Sequence, residues 1–353
     1  MITNYNLFKE RKVERLFYYS FDWDDNILHM PTIINMDKLS EDVWEPVSIS
    51  PSKFLLVRND PSYRLRDNNT YKTYEEFRDI GPRGSNAFID DVKYAIDNKN
   101  IGPSWNTFIK CLIEGSIFAI VTARSHEYET TKQAIKYIID NCLTEKQKNK
   151  MYENCLHFSK LFDNTSYVRS NGKFSDNKLI ERYLECCKYY GVGFPFSKSF
   201  REEFDVDENL TIEEGKKIAL DKFIETCNEY GNIHNFKVSI GFSDDDKKNV
   251  EHIKKYFEYK SSVYAHMKLN VYDTSNRIDS IKTTFESSME NKDGSIMRFV
   301  GFNTLPNELG NTTSDFSQPN YTLLQKSKVA NKLTKSGSKK FKKKFKKTNK
   351  KDK

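Results

Sequence analysis

The stretch Leu16 to Leu28, LFYYSFDWDDNIL, restricts what this chain can fold into more than any other. Leu16 to Phe21 is an almost unbroken apolar and aromatic run in which Ser20 is the single small polar interruption. A run without polar alternation predicts a strand covered on both faces, as in a parallel sheet flanked by helices. Directly behind it stand Asp22, Asp24, Asp25 and Asn26, four acidic or amide residues in five. Side chains alternate along an extended chain, so Asp22 and Asp24 emerge on one face and Trp23 on the other. Two carboxylates that close at the mouth of an apolar strand repel each other and lose hydration, and a divalent cation is the usual remedy. A calcium loop is excluded: it needs glycine at its sixth position and glutamate at its twelfth, where Ile27 and Ile33 stand.

Two further strands are expected to end in polar groups. Ile117 to Val121 is a continuous apolar run that stops at Thr122, and helical spacing resumes at Ala134, Ile135, Ile138 and Ile139. Strand, polar turn and helix in that order make a βαβ unit. Lys237 to Phe242 reads as a third strand running into Asp244-Asp245-Asp246, followed by a helix with Val250, Ile253 and Phe257 at core spacing. A last strand, Lys268 to Tyr272, is expected to finish the sheet. Between these, Thr211 and Glu214 fit a capping box, and the helix behind them places Leu220, Phe223, Ile224 and Cys227 on a buried face. Lys216 and Lys217 precede Leu220 by four and three positions, so either can flank that face. The fold class is therefore α/β, a Rossmann-like parallel sheet with helices on both faces. Ligands of such sheets collect at the carboxyl ends of the strands, where Asp22/Asp24, Thr122 and Asp244/Asp245 converge.

The expected organisation is a core of residues 1–28 and 84–275, with 143–210 as an insertion within it. His29 to Arg83 reads as a small, partly β inserted unit lying over the end of the first strand, with extended pieces at Val43 to Ile49 and Phe54 to Val57. Lys178 to Tyr190 reads as an amphipathic helix. Residues 276–305 form an extension, and 306–353 are Asn/Ser/Thr-rich and then lysine-rich, the composition of a disordered tail. That tail changes the meaning of the +7 net charge: Lys326 to Lys353 hold 14 Lys against one Asp, leaving 43 basic and 49 acidic residues elsewhere. The body is acidic and the tail basic. Such a tail favours nucleic acid through counterion release, with Phe341 and Phe345 placed to stack on bases; a nuclear-localisation signal, a membrane-surface contact and a merely solubilising end are the other readings. The six cysteines form no CxxC pair and no zinc spacing, which predicts free thiols in a reduced, cytoplasmic protein. No run approaches transmembrane length, so no membrane partner is expected.

Taken together, these residues resemble the haloacid dehalogenase (HAD)-like superfamily of phosphohydrolases. That family's first motif, a hydrophobic strand ending in Asp-x-Asp, is matched by Asp22-Trp23-Asp24. Its second, a strand ending in Thr or Ser, is matched by Thr122; its third, a Lys at a helix start, by Lys216 with Lys217 as a rival. Its fourth, a strand ending in one or two Asp, is matched by Asp244-Asp245, with Asn249 in a familiar following position. The motifs come in the family's order and span Leu16 to about Tyr272. The chain departs in one place: family members often carry Gly-Thr after the second Asp, where Asp25-Asn26 stand here.

The resemblance implies that Asp22 attacks phosphorus to form an aspartyl-phosphate, and that Asp24 protonates the leaving oxygen and later activates water. It implies Mg²⁺ held by Asp22, by the main chain at Asp24, and by Asp244 or Asp245, with Thr122 and Lys216 on the phosphoryl oxygens. Arg124 and His126 sit near this site, within reach of a substrate, but a surface role is expected for both. The Thr-Ala-Arg stretch is similar to that of polynucleotide 3′-phosphatases and nucleotidases in the same superfamily, which with the basic tail points to a phosphate on a nucleotide or nucleic-acid end. The alternative is a catalytically inactive member of the fold, a nucleic-acid-associated or viral structural protein, given a bias to Asn, Lys, Ile and Tyr typical of AT-rich genomes.

Overall fold

A computed structural model describes residues 15–163, 176–193, 198–206, 210–234, 237–264, 267–276, 281–287 and 298–304. The lysine-rich tail and its two phenylalanines lie outside the described residues. Seven strands make the main sheet: β1 (Arg15–Phe21), β5 (Phe118–Thr122), β6 (Lys188–Gly191), β7 (Lys237–Asp244), β8 (Met267–Asp273), β9 (Ile281–Ser287) and β10 (Arg298–Thr304). Their spatial order is β10-β9-β8-β7-β1-β5-β6. The five strands from β8 to β6 pair in parallel, while β9 and β10 add on antiparallel at the β8 edge. The chain thus starts in the middle, builds outward through β5 and β6, then returns to the other side of β1 for β7 and β8. That reversal puts a topological switch point between β1 and β7, where a crevice opens beyond the strand ends.

Helices cover both faces, as the pleat of β1 makes plain. Tyr18 meets Phe223 of α9 (Ile212–His234) edge-on at 6.3 Å, and Phe21, on the opposite face, meets Phe108 of α4 (Trp105–Glu114) at 5.5 Å. Along β1 Tyr18, Ser20 and Phe21 are buried, Tyr19 is half-buried and Phe17 is 54% exposed. α10 (Lys247–Val263) packs on β7, β8 and β9. α9 begins where the sequence requires it: Thr211 N–H donates to Glu214 Oε2 at 3.0 Å, and Glu214 N–H donates to Thr211 Oγ1 at 3.3 Å. α4 ends at Gly115, whose φ of 65° is the left-handed cap that glycine adopts without strain.

Three sequence expectations are corrected. Phe54 to Val57 is not extended but lies in α1 (Pro51–Val57), where Ser50 accepts the Lys53 N–H and Pro51 opens the helix. The amphipathic reading of Lys178 to Tyr190 holds only for α7 (Asp176–Cys186), since Lys188–Gly191 is β6, the edge strand beside β5. Met267–Asp273 does not finish the sheet, because β9 and β10 follow it.

A second, antiparallel sheet of three strands is ordered β3 (Val43–Ile49), β2 (Ile34–Ser40), β4 (Tyr63–Leu65). Its own small cluster, with Ile34, Met36 and Val57 buried, is separate from the main core. On the other face of β2 Asp37 takes Arg64 and Arg66, each at 3.1 Å, so that face is closed by ion pairs rather than apolar packing. Among the described residues no helix is long and apolar enough to cross a membrane, and all six cysteines are free.

Candidate active site

Parallel pairing of β1 with β7 sets Phe21 opposite Ser243, and the Asp22 N–H extends the ladder by donating to Ser243 O at 2.9 Å. Asp22 and Asp244 therefore emerge side by side at the switch point, both buried. Lys216 reaches them from α9. The capping box fixes the start of that helix, so Lys216, Leu220 and Phe223 share its buried stripe at i, i+4 and i+7. The Lys216 Nζ lies 2.9 Å from Asp22 Oδ1 and 2.6 Å from Asp244 Oδ2, and the residue is 1% exposed. Lys217 points elsewhere, its ammonium 5.5 Å above the ring of Tyr256. One carboxylate oxygen each from Asp22, Asp244 and Asp245 lie within 4.8 Å of one another. Asp244 is fixed further by the Asp246 N–H at 2.9 Å and by Asn249 Nδ2 at 3.2 Å.

Asp22 and Asp244 share one ammonium and Asp245 stands beside them, so ionising all three leaves excess negative charge at a largely buried place. Burial, with help from Asp244 and Asp24 and against Lys216, pushes the Asp22 carboxyl up to about 8. Burial and the charges of Asp22, Asp244 and Asp25 push Asp245 well up, and burial raises Asp244 against the pull of Lys216. Burial by itself would lower the Lys216 ammonium; Asp22 and Asp244 outweigh it and hold it raised. Hard oxygen donors with uncompensated charge are the ligand set of Mg²⁺ or a similar divalent cation, and Asp22, Asp244 and Asp245 fit one.

Asp24 lies outside this trio. Its Oδ2 accepts Arg124 Nε–H and its Oδ1 accepts Arg124 Nη2–H, both at 2.7 Å, a bidentate pair. Contrary to the surface position expected, Arg124 is 1% exposed. Its guanidinium sits 4.5 Å from the ring centre of Phe77 and 5.0 Å from that of Phe88, and also donates to Thr32 Oγ1. His126 is likewise buried, stacked on Phe88, with Nδ1 2.9 Å from Asp79 Oδ1; burial depresses its pKa against the pull of Asp79. Thr122 closes β5 with its hydroxyl accepting the Arg124 N–H at 3.3 Å. Trp23 turns to the opposite side as alternation requires, fully buried on Phe88 and Phe108.

Comparison with family models, with curated proteins and with solved structures returns no match. Function is therefore argued from the site itself.

Asn26 ties the strand ends together. Its Nδ2 donates to Asp22 O at 2.9 Å and Ser243 Oγ at 2.9 Å, and its Oδ1 accepts Ser104 Oγ–H at 2.7 Å and Thr274 Oγ1–H at 2.9 Å. Asn26→Ala strands several buried polar groups at once and is expected to lower stability by about 3 kcal/mol in urea unfolding. Asp25 takes a left-handed φ of 52°, accepting Ser52 Oγ–H at 2.7 Å and lying 2.6 Å from His29 Nδ1. A cavity of about 300 Å³ extends from the carboxylates to the small sheet. Along it lies a residue that no motif singles out, Arg58 at the end of α1, whose Nη1 pairs with Asp246 Oδ2 at 2.8 Å across the mouth. The available signal was helical spacing behind Ser50-Pro51.

Proposed function

We propose that this chain is a Mg²⁺-dependent, HAD-like phosphatase that hydrolyses a phosphomonoester through an aspartyl-phosphate on Asp22. The observation that carries this reading is the meeting of Asp22, Asp244 and Asp245 around Lys216 at the switch point of a largely parallel sheet. Asp22, Asp244 and Asp245 would hold the cation, which when bound supplies the positive charge that lets a phosphate dianion approach a nest of carboxylates. Asp22 is the nucleophile: its carboxylate attacks phosphorus, the bond to the leaving oxygen breaks, and water later cleaves the acyl phosphate. Lys216 steers Asp22 and sits where phosphoryl charge develops. Asp24 serves the leaving oxygen, and delivering a proton there means displacing a guanidinium N–H of Arg124, which makes Arg124 a positioning residue for Asp24.

The bidentate hold of Arg124 on both Asp24 oxygens favours one second reading, a non-catalytic member of the fold. An assay with p-nitrophenyl phosphate separates the two. Turnover with Mg²⁺ that stops in EDTA and returns when Mg²⁺ is restored is the expected result; no turnover at any Mg²⁺ concentration selects the inactive reading.

Protons and the cation compete for the same oxygens. With the folded Asp22 carboxyl at about 8, the folded chain keeps a proton that an ordinary unfolded carboxyl, with pKa near 4, gives up. The stability this group contributes is full below that unfolded value and is lost as pH rises through about 8. In EDTA, Tm is expected to fall from pH 6 to pH 9; with Mg²⁺ the fall is smaller, and calorimetry in buffers of different ionisation enthalpy records proton release on binding.

A further inference from the structure

α1 faces two ways: Val57 and Phe54 pack on its own sheet, and a second face lines the site. Pro51, Phe54, Leu55 and Arg58 recur at i, i+3, i+4 and i+7, the spacing of one helical face, and all four line the cavity; Val57 is the helix's one buried contribution to the small cluster. The helix is tied down near both ends over the site, Ser52 to Asp25 and Arg58 to Asp246. Beside it the aromatic rings continue: Phe54 meets Tyr74 edge-on at 6.0 Å, Tyr74 meets Phe77 at 6.0 Å, and Phe77 lies against Arg124. An aromatic and aliphatic wall therefore runs unbroken from the mouth to the carboxylates, while the charged groups gather at the inner end and at the rim.

Resting on the phosphatase reading, we infer that the substrate is a small phosphomonoester whose leaving alcohol carries an apolar ring, laid against Phe54, Leu55 and Tyr74. A polyol laid against Phe54, Leu55 and Tyr74 would lose its water to three side chains whose one polar atom is the Tyr74 hydroxyl, and polar groups buried without partners are penalised. The cavity's other polar side chains, Ser125, Glu213 and Asn249 among them, stand apart from this trio in the lining. A polymer end needs a groove that tracks its backbone, whereas this cavity measures about 300 Å³, the lower end of small-molecule pockets. Charge complementarity sets the orientation, with phosphate inward at Lys216 and the carboxylate-held cation, and ring outward along α1.

The test uses the full chain with Mg²⁺. 2-Phenylethyl phosphate and glycerol 3-phosphate both release primary alcohols, so their ratio of kcat/KM reports recognition more than leaving-group chemistry. A ratio of about 10–100 in favour of the phenylethyl ester is expected from the burial of one ring, and Phe54→Ala is expected to shrink it several-fold. In parallel, calorimetry compares benzylphosphonate with methylphosphonate, neither of which can turn over; at least about tenfold tighter binding of the benzyl compound is expected. Equal binding of the two phosphonates, or a 3′-phosphorylated oligonucleotide hydrolysed faster than the phenylethyl ester, overturns the inference. Preferential benzylphosphonate binding without turnover of any ester supports the apolar recognition and removes the phosphatase instead.

Discussion

Asp22→Asn is expected to abolish hydrolysis, by on the order of 10⁴-fold or more in kcat, while leaving the fold at least as stable as the parent in EDTA. The two halves have one cause. Nucleophilic catalysis needs a carboxylate oxygen at the position of Asp22, yet burial, with the charges of Asp244 and Asp24 and against Lys216, pushes that carboxyl up to about 8. Asparagine has the same shape, keeps an oxygen facing Lys216, and removes one of the competing charges. Above about pH 8 the parent must ionise Asp22 in place and the variant need not. Thermal unfolding in EDTA at that pH should show the variant melting no lower than the parent, and a circular dichroism spectrum should be unchanged. A variant that turns over normally disproves the nucleophile; one that melts well below the parent disproves the charge crowding.

The site was legible where local pattern and chemistry coincide. Apolar runs announce strands, and Asp22 and Asp244 stand where those runs stop, so strand period and parallel pairing alone bring them together. Lys216 needed one further step: the capping box sets the phase of α9, and that phase puts Lys216 on the face of Leu220 and Phe223 and leaves Lys217 exposed. Arg124 and His126 were illegible for a different reason. Their burial comes from Phe77, Asp79 and Phe88, distant in sequence, and nothing in Thr-Ala-Arg-Ser-His distinguishes a surface turn from a covered one.

The fold divides the same way. β1 and β5 are buried enough to need nearly continuous apolar runs, and β7 sets small residues between Val238, Ile240 and Phe242, whereas β6 is four residues at a sheet edge and carries no period of its own. α1 is hard to read despite Ser50-Pro51 at its start, because its apolar residues are divided between the small cluster, which takes Val57 and Phe54, and the cavity, which Pro51, Phe54 and Leu55 line. A strand-like run of Phe, Leu, Leu and Val then outweighs a cap. Asp25-Asn26 serve the structure: Asn26 binds both strand ends, and Asp25 takes the left-handed turn that a glycine takes without strain.

Lys216→Met is the complementary experiment, expected to keep the shape of the side chain and cost the fold about 3–5 kcal/mol, because removing one partner of a buried pair leaves the other charges unpaired. Here two carboxylates are orphaned at once, Asp22 at 2.9 Å and Asp244 at 2.6 Å. In EDTA above about pH 8, where Asp22 too is ionised, the loss corresponds to a Tm lower by on the order of 10 °C. Lys217→Met, which removes an exposed ammonium, should shift Tm by no more than about 2 °C. Millimolar Mg²⁺ should then raise the Tm of the Lys216 variant more than that of the parent. The cation restores the positive charge the lysine supplied and no longer competes with it, so its affinity for the folded state rises and with it the linkage term. Catalysis does not return with stability, since the ammonium that meets developing phosphoryl charge is gone. If the Lys216 variant melts with the parent in EDTA, or gains no more from Mg²⁺ than the parent does, Lys216 does not balance these carboxylates and the site is not built as a charge-compensated cation cradle.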